Sequence, residues 1–301
     1  MSDTNDNTLS APECSSCKDG KGSSKCASCP SASPEMRAKK SETEQQIEQR
    51  LSKVKHRIAI VSGKGGVGKS TVTASMALSL SMLGKKVGVL DADVSGPNIP
   101  HLLGLEGRKL EASMEGLEPI MNRNGIKVIS SEFVLTTSDT PMLWRGPMRT
   151  TLVTQFVTDT NWGELDYLLI DLPPGTGDEP MSVMQQIPLD GIVIVSTSSN
   201  LSVLDVSKII NMAKTINVPV LGLIENMSYM QCPDCDRKIR LFGESKVERL
   251  AKQYGLRMIG EIPLDPLNSG VDELPADGRS LIVTAMKPIA QRVADLAEKH
   301  K

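Results

Sequence analysis

The residues best suited to chemistry form two sets: a glycine-rich run ending in Lys-Ser-Thr, and a group of paired cysteines. From Gly63 to Thr71 the chain reads GKGGVGKST, which satisfies the spacing G-x-x-x-x-G-K-[ST] in full. Gly63, Gly65, Gly66 and Gly68, with Val67 among them, allow a tight turn whose backbone N–H groups face inward around an anion. A helix opening near Ser70 adds the positive end of its dipole. In such a loop Lys69 reaches the β- and γ-phosphates of a nucleotide and the Ser70 hydroxyl ligates Mg²⁺, with Thr71 closing the motif.

The six cysteines fall in three CxxC pairs, Cys14/Cys17, Cys26/Cys29 and Cys232/Cys235. In a long cytosolic chain such pairs read as metal or redox ligands rather than disulfides. The first two pairs are separated by eight residues, and four thiolates at that spacing can close around one tetrahedral zinc or one iron–sulfur cluster. Spacing alone does not choose between them. The third pair is half a site, which a two-fold dimer would complete with the same pair from the other subunit. A zinc half-site and a thioredoxin-like redox pair are the alternatives. The redox reading ranks lower because the pair does not open a helix directly after a strand.

Carboxylates stand where the loop needs them. The apolar run Val87 to Leu90 ends in Asp91-Ala-Asp93, and Tyr167 to Ile170 ends in Asp171-Leu-Pro-Pro-Gly-Thr-Gly-Asp178. An acid closing an apolar strand downstream of a phosphate loop reads as the Mg²⁺-holding carboxylate, here Asp171. Asp93 is placed to orient the attacking water or sense the γ-phosphate, with a turn or capping role as the plainer reading. Asn226 ends another strand, where its amide offers donor and acceptor to adenine N6 and N7; turn capping is again the alternative. No Asn-Lys-x-Asp run follows it, which favours ATP over GTP.

These residues require an α/β scaffold, with a mostly parallel sheet flanked by helices. Strands are expected at Ile58 onward, Val87–Leu90, Ile126–Ser130, Tyr167–Ile170, Gly191–Ser196, Val220–Asn226 and Met258–Glu261. Helices are expected at Val72–Leu83, near Thr150, at Leu201–Ile216, Lys246–Tyr254 and Ser280–His300, the last with Pro288 as a possible kink point. Its apolar stripe reads Leu281, Ala285, Ile289, Val293 and Leu296. Trp144 and Arg145 sit in a Pro- and Gly-punctuated loop, suited to a nucleotide-dependent interface or to ordinary packing.

Residues 1–55 form a polar, cysteine-rich extension with a linker helix that starts at Ser33-Pro34 and carries Ile47, Leu51 and Val54 as a thin stripe; residues 56–301 form the main domain. The tail before Pro34 has almost no large apolar residues and needs a bound metal in place of a core.

The chain has 301 residues and a net charge of −2 with both signs interspersed, so no electrostatic footprint for nucleic acid stands out. No apolar run approaches the roughly 18 residues of a membrane span, and the first residues lack a signal-peptide core. A cytoplasmic protein without membrane or nucleic-acid partners is expected. The histidines, His56, His101 and His300, show no ligand spacing and are expected at the surface.

With Lys64 added, the loop reads K-G-G-V-G-K-[ST] and resembles the deviant Walker A ATPases, in which that lysine contacts phosphate across a face-to-face dimer. The wider set is GKGGVGKST, DADVSGPNIP, WRGPM at Trp144–Met148, DLPPGTGD and ENMSYMQCPDC at Glu225–Cys235. Together these resemble the Mrp/ApbC iron–sulfur cluster carrier ATPases over about residues 57–300. The resemblance implies a homodimer that binds ATP and Mg²⁺ and bridges a 4Fe-4S cluster through Cys232 and Cys235 of both subunits. It further implies receipt of clusters from upstream assembly proteins and delivery to apo-proteins. The tail cysteines resemble those of the Nbp branch, which carries its own cluster, but differ in their two-pair arrangement. A MinD- or ParA-like spatial regulator would require a basic face or amphipathic anchor, and neither is present. A nitrogenase-iron-protein-like electron donor has its ligand cysteines far apart, unlike this CxxC.

Overall fold

The computed structural model describes residues 34–114, 116–134, 146–232, 235, 237–240, 242–265, 273–275 and 280–299. Cys14, Cys17, Cys26, Cys29, Ser33, Trp144, Arg145 and His300 lie outside the described residues. The chain divides into two units, Met1–Ile47 and Glu48–Lys301. In chain order the elements are α1 (Pro34–Leu51), β1 (Val54–Val61), α2 (Lys69–Met82), β2 (Val87–Asp91), α3 (Ile99–Leu102), β3 (Glu111–Ser113), β4 (Gly116–Glu118), β5 (Ile120–Met121), β6 (Lys127–Ser130) and α4 (Gly146–Asp159). There follow β7 (Leu165–Asp171), α5 (Asp178–Gln186), β8 (Gly191–Ser196), α6 (Asn200–Thr215), β9 (Val220–Glu225), β10 (Met230–Gln231), β11 (Lys238–Ile239), α7 (Lys246–Gln253), β12 (Met258–Glu261) and α8 (Leu281–Lys299).

Eight strands form one sheet in the order β12-β9-β8-β1-β7-β2-β6-β5. Each adjacent pair is parallel except β5 with β6. The central strands are continuous apolar runs, and every residue of β8 is buried, as expected of a parallel sheet covered on both faces. Helices pack in pairs, α2 with α8, α4 with α5 and α6 with α7. The sequence of α2 is apolar or small nearly all round, and Val72, Ala74, Met76, Ala77, Leu78 and Leu80 are all buried, the pattern of a helix enclosed by protein.

Register carries the chemistry to one edge. Ile60 of β1 pairs with Asp171, and Asp91 of β2 also pairs with Asp171. The phosphate loop and both carboxylates therefore emerge together at the C-terminal ends of three adjacent strands, where open α/β sheets bind ligands.

Four expectations are corrected. Val54 is not on the linker helix, because α1 stops at Leu51 and Val54 opens β1. The buried stripe of α8 is Val283, Met286, Ile289, Ala290, Val293, Ala294 and Ala297, while Leu281 is exposed; the docking face is rotated toward the alanines, which allow closer approach. Gly146, Pro147 and Met148 belong to α4 rather than to the loop before it, with Pro near the first helical position, where its missing N–H costs nothing. His56 is buried at 6 % exposure, stacked on Tyr167 with ring centroids 5.1 Å apart, because β1 and β7 place the two rings side by side.

Candidate nucleotide site and cysteine hairpin

The chain leaves β1 at Val61 and turns through the glycine run into α2. A Cβ at Gly63 would lie 2.2 Å from the Asp205 Cβ of α6, so only glycine lets the loop enter this tightly. Gly68 sits at φ +77° as the N-cap of α2 with no side-chain cap. The first-turn N–H groups of α2 are thus left for an anion. They face a cleft of about 520 Å³ lined by the loop together with Asp93, Asn98, His101 and Pro174.

At its floor Lys69 donates from Nζ to Asp171 Oδ2 at 2.7 Å, and the Ser70 hydroxyl donates to the same oxygen at 2.7 Å. The Thr73 hydroxyl donates to Asp171 Oδ1 at 2.6 Å. Asp171 is fully buried, so the ammonium and two hydroxyls replace the water it lost. Asp91 is also fully buried; its Oδ2 accepts from the Ser130 hydroxyl at 3.0 Å, and its Oδ1 has no partner. Burial first, and the charge of Asp171 second, push the Asp91 carboxyl well above the usual carboxylate range. Asp93, at the mouth, is raised by burial, with Lys69 opposing.

The acidic segments are tied to the loop. The Ala92 N–H donates to Asp171 O at 2.9 Å, and the Gly175 N–H to Ser62 O at 2.8 Å. Arg149 of α4 bridges them, reaching Ser95 Oγ at 2.5 Å and Glu179 Oε2 at 3.4 Å. Lys64 stands at the mouth of the cleft with Nζ 3.3 Å from Ser199 Oγ. His101 lines the same cleft, 3.2 Å from Glu132 and 3.5 Å from Glu106. The predicted Gly63–Thr71, Asp93 and Asp171 therefore converge. Asn226 is buried behind the loop, and its amide N–H is given to Val67 O at 2.8 Å. It is not among the described residues lining the phosphate cleft, and one of the two N–H groups of its amide is engaged with Val67.

Sequence reasoning missed Thr73, His101, Arg149 and Ser130. Thr73 was within reach, since it lies four residues after Lys69 on the same helix face. The other three depend on contacts between distant segments.

Beyond Asn226 the chain forms a two-stranded hairpin, β10 with β11, outside the main sheet. It carries Cys232, half-buried, and Cys235, exposed. The Cys232 N–H donates to Arg237 O at 2.9 Å, and Arg240 grips Glu261 of β12 through two contacts of 3.0 and 3.2 Å. At the root, buried Glu225 accepts from the Ser198 and Ser245 hydroxyls. Among the described residues no group of three or more His, Cys, Asp or Glu could hold a metal ion.

A parallel sheet, a glycine loop opening a helix and a lysine–carboxylate floor define a P-loop nucleoside triphosphatase. A family model described as ParA, NUBPL iron-transfer P-loop NTPase, matches residues 53–300. The chain belongs to that family. It is 50 % identical over 244 residues to an iron-sulfur cluster carrier protein of Methanocaldococcus jannaschii, covering 80 % of this chain and 84 % of that one. It is 43 % identical over 221 residues to a cytosolic Fe-S cluster assembly factor NUBP2 homolog of Dictyostelium discoideum, covering 72 % of this chain and 83 % of that one. Among solved structures, a nucleotide-binding protein from Archaeoglobus fulgidus in complex with ADP superposes with TM-score 0.67 at 50 % identity, over 74 % of this chain and 87 % of that one. The cell division ATPase MinD of Pyrococcus furiosus superposes with TM-score 0.57 at 25 % identity, over 80 % of this chain and 99 % of that one. No described helix is long and apolar enough to cross a membrane.

Proposed function

We propose that this chain is an ATP-dependent iron–sulfur cluster carrier, which holds a 4Fe-4S cluster as cargo between two copies of itself and passes it to apo-proteins. The observation that carries this reading is the position of Cys232 and Cys235: a thiol pair on a hairpin that leaves the strand buttressing the phosphate loop. Thiolates suit iron. Two per subunit make a site that exists only while the subunits stay together, so a nucleotide-driven rotation opens it. The names of two relatives, one a cluster carrier and one a cluster assembly factor, support the cargo.

In this reading the loop amides and Lys69 hold the phosphates of ATP. Ser70 and Asp171 are oxygen donors of the kind Mg²⁺ takes; when bound, the metal neutralises charge on the β- and γ-phosphates. Asp93 orients the water that attacks the γ-phosphorus as the bond to the ADP oxygen breaks, and its raised proton affinity suits it to take up the released proton. Lys64 serves the partner's nucleotide. Cys14, Cys17, Cys26 and Cys29 of the N-terminal extension hold a second cluster or a zinc ion. Upstream assembly proteins load the carrier, and it works in the cytoplasm without membrane or nucleic-acid partners.

The test is anaerobic reconstitution with iron and sulfide, scored by iron, sulfide and visible absorbance per dimer. Cys232→Ala and Cys235→Ala should each remove the bridging cluster and leave ATP binding intact. Unchanged dimeric cluster content in both variants overturns the assignment.

A further inference from the structure

We infer that Asn226 is a positioning residue that braces the phosphate loop from behind and ties it to the cysteine hairpin, so that nucleotide occupancy alters the reach of Cys232 and Cys235. The bracing is direct. Asn226 is 3 % exposed, and its amide N–H donates to Val67 O at 2.8 Å. A peptide unit is planar and trans, so its C=O and N–H point in opposite directions. Drawing the Val67 carbonyl back toward Asn226 therefore turns the Gly68 N–H forward, into the cleft. The fit leaves no slack, because a Cβ at Gly68 would lie 2.3 Å from Asn226 Nδ2 and 3.4 Å from the Met227 methyl.

The link onward is stiff. The Asn226 backbone N–H is held by Ser196 O at 2.8 Å, and Met227 takes φ +54°, a conformation uncommon outside glycine. Next, the Ser228 N–H donates to Ile262 O at 3.1 Å, Tyr229 O accepts from Leu264 N at 2.8 Å, and the Cys232 N–H is held by Arg237 O at 2.9 Å. Anchors at residues 226, 228, 229 and 232 leave little free chain between the loop and the first thiol. When the loop closes on phosphate, the segment must follow the Val67–Gly68 peptide or lose the Asn226 bond.

This rests on reading the two cysteines as cargo ligands, but its test uses protein free of cluster. In the reduced full-length chain, maleimide labelling of Cys232 and Cys235 is followed by peptide mass spectrometry with and without saturating Mg-ATP. Wild type should change its labelling rate by about fivefold or more, the lower range of allosteric coupling. In Asn226→Ala and Asn226→Ser the two rates should become equal, at ATP concentrations raised to keep the site full. A retained ATP effect in both variants overturns the link, and loss of ATP-over-GTP preference alone would make Asn226 a base reader instead. Should the variants not fold, hydrogen exchange in wild type decides. ADP must slow exchange over residues 228–240 as well as over 63–71, and a hairpin indifferent to nucleotide overturns the proposal. Failed cluster loading would leave these readouts untouched and count only against the carrier assignment.

Discussion

Lys69 Nζ and Asp171 Oδ2 stand 2.7 Å apart, with both side chains closed off from water. The ammonium thus supplies the counter-charge that a carboxylate cut off from water requires. Replacing Lys69 by Met strips Asp171 of its counter-charge next to Asp91, leaving hydroxyl donors alone. Urea unfolding should show a loss of about 3–5 kcal/mol, the usual cost of orphaning a buried charge, and ATP turnover should fall to background. A loss below about 1 kcal/mol would mean the pair is solvated in solution.

Asp91 makes stability depend on pH. Its folded carboxyl lies above the ordinary value of 3.8, so the folded form holds the proton more tightly than the unfolded chain. The contribution is full below the ordinary carboxylate range and fades as pH rises through the raised folded value. Asp91→Asn, neutral at every pH, should flatten this decline and exceed wild type in stability at neutral pH. Parallel curves for the two proteins between acid and neutral pH would refute it.

Ser245 does two jobs. Its oxygen accepts from the Glu248 N–H at 3.0 Å as the N-cap of α7, while its hydroxyl donates to buried Glu225. Loss of a cap costs about 1 kcal/mol, and an unmatched buried acceptor roughly 1–3 kcal/mol more. Chemical denaturation of Ser245→Ala should therefore show about 2–4 kcal/mol of destabilisation. A value near the cap alone would indicate that Glu225 finds another donor.

Lys64 Nζ is braced by a serine hydroxyl at the mouth of its own cleft. Lys64→Ala should leave ATP affinity within about threefold of wild type, a loss well under the 1.4 kcal/mol of a tenfold change, and abolish ATP-dependent dimerisation. Light scattering with and without Mg-ATP checks it. A variant that dimerises normally returns Lys64 to its own subunit's site.

The phosphate loop was legible because consecutive residues and local backbone geometry decide it, and Asp171 because an acid that ends an apolar strand has few other uses. The tie between Asn226 and the phosphate loop was not legible, since its partner Val67 is 159 residues away in sequence. His56 reads as polar beside an apolar run; only the β1–β7 pairing reveals that Tyr167 covers it. In α8, two helical phases are nearly equal in apolar content, and small residues at the closer one decide between them. Thr73 could have been read from helix spacing alone, whereas His101, Arg149 and Ser130 required a distant segment to be placed first.

The cysteine hairpin is a graft on the side of a finished sheet. β12 pairs with β9 without it, and the appendage is secured at its base by the Met230–Leu264 bridge and the Arg240–Glu261 grip. The sheet's hydrogen bonding thus closes without the appendage, and the load of holding the two thiols falls on the contacts at its base.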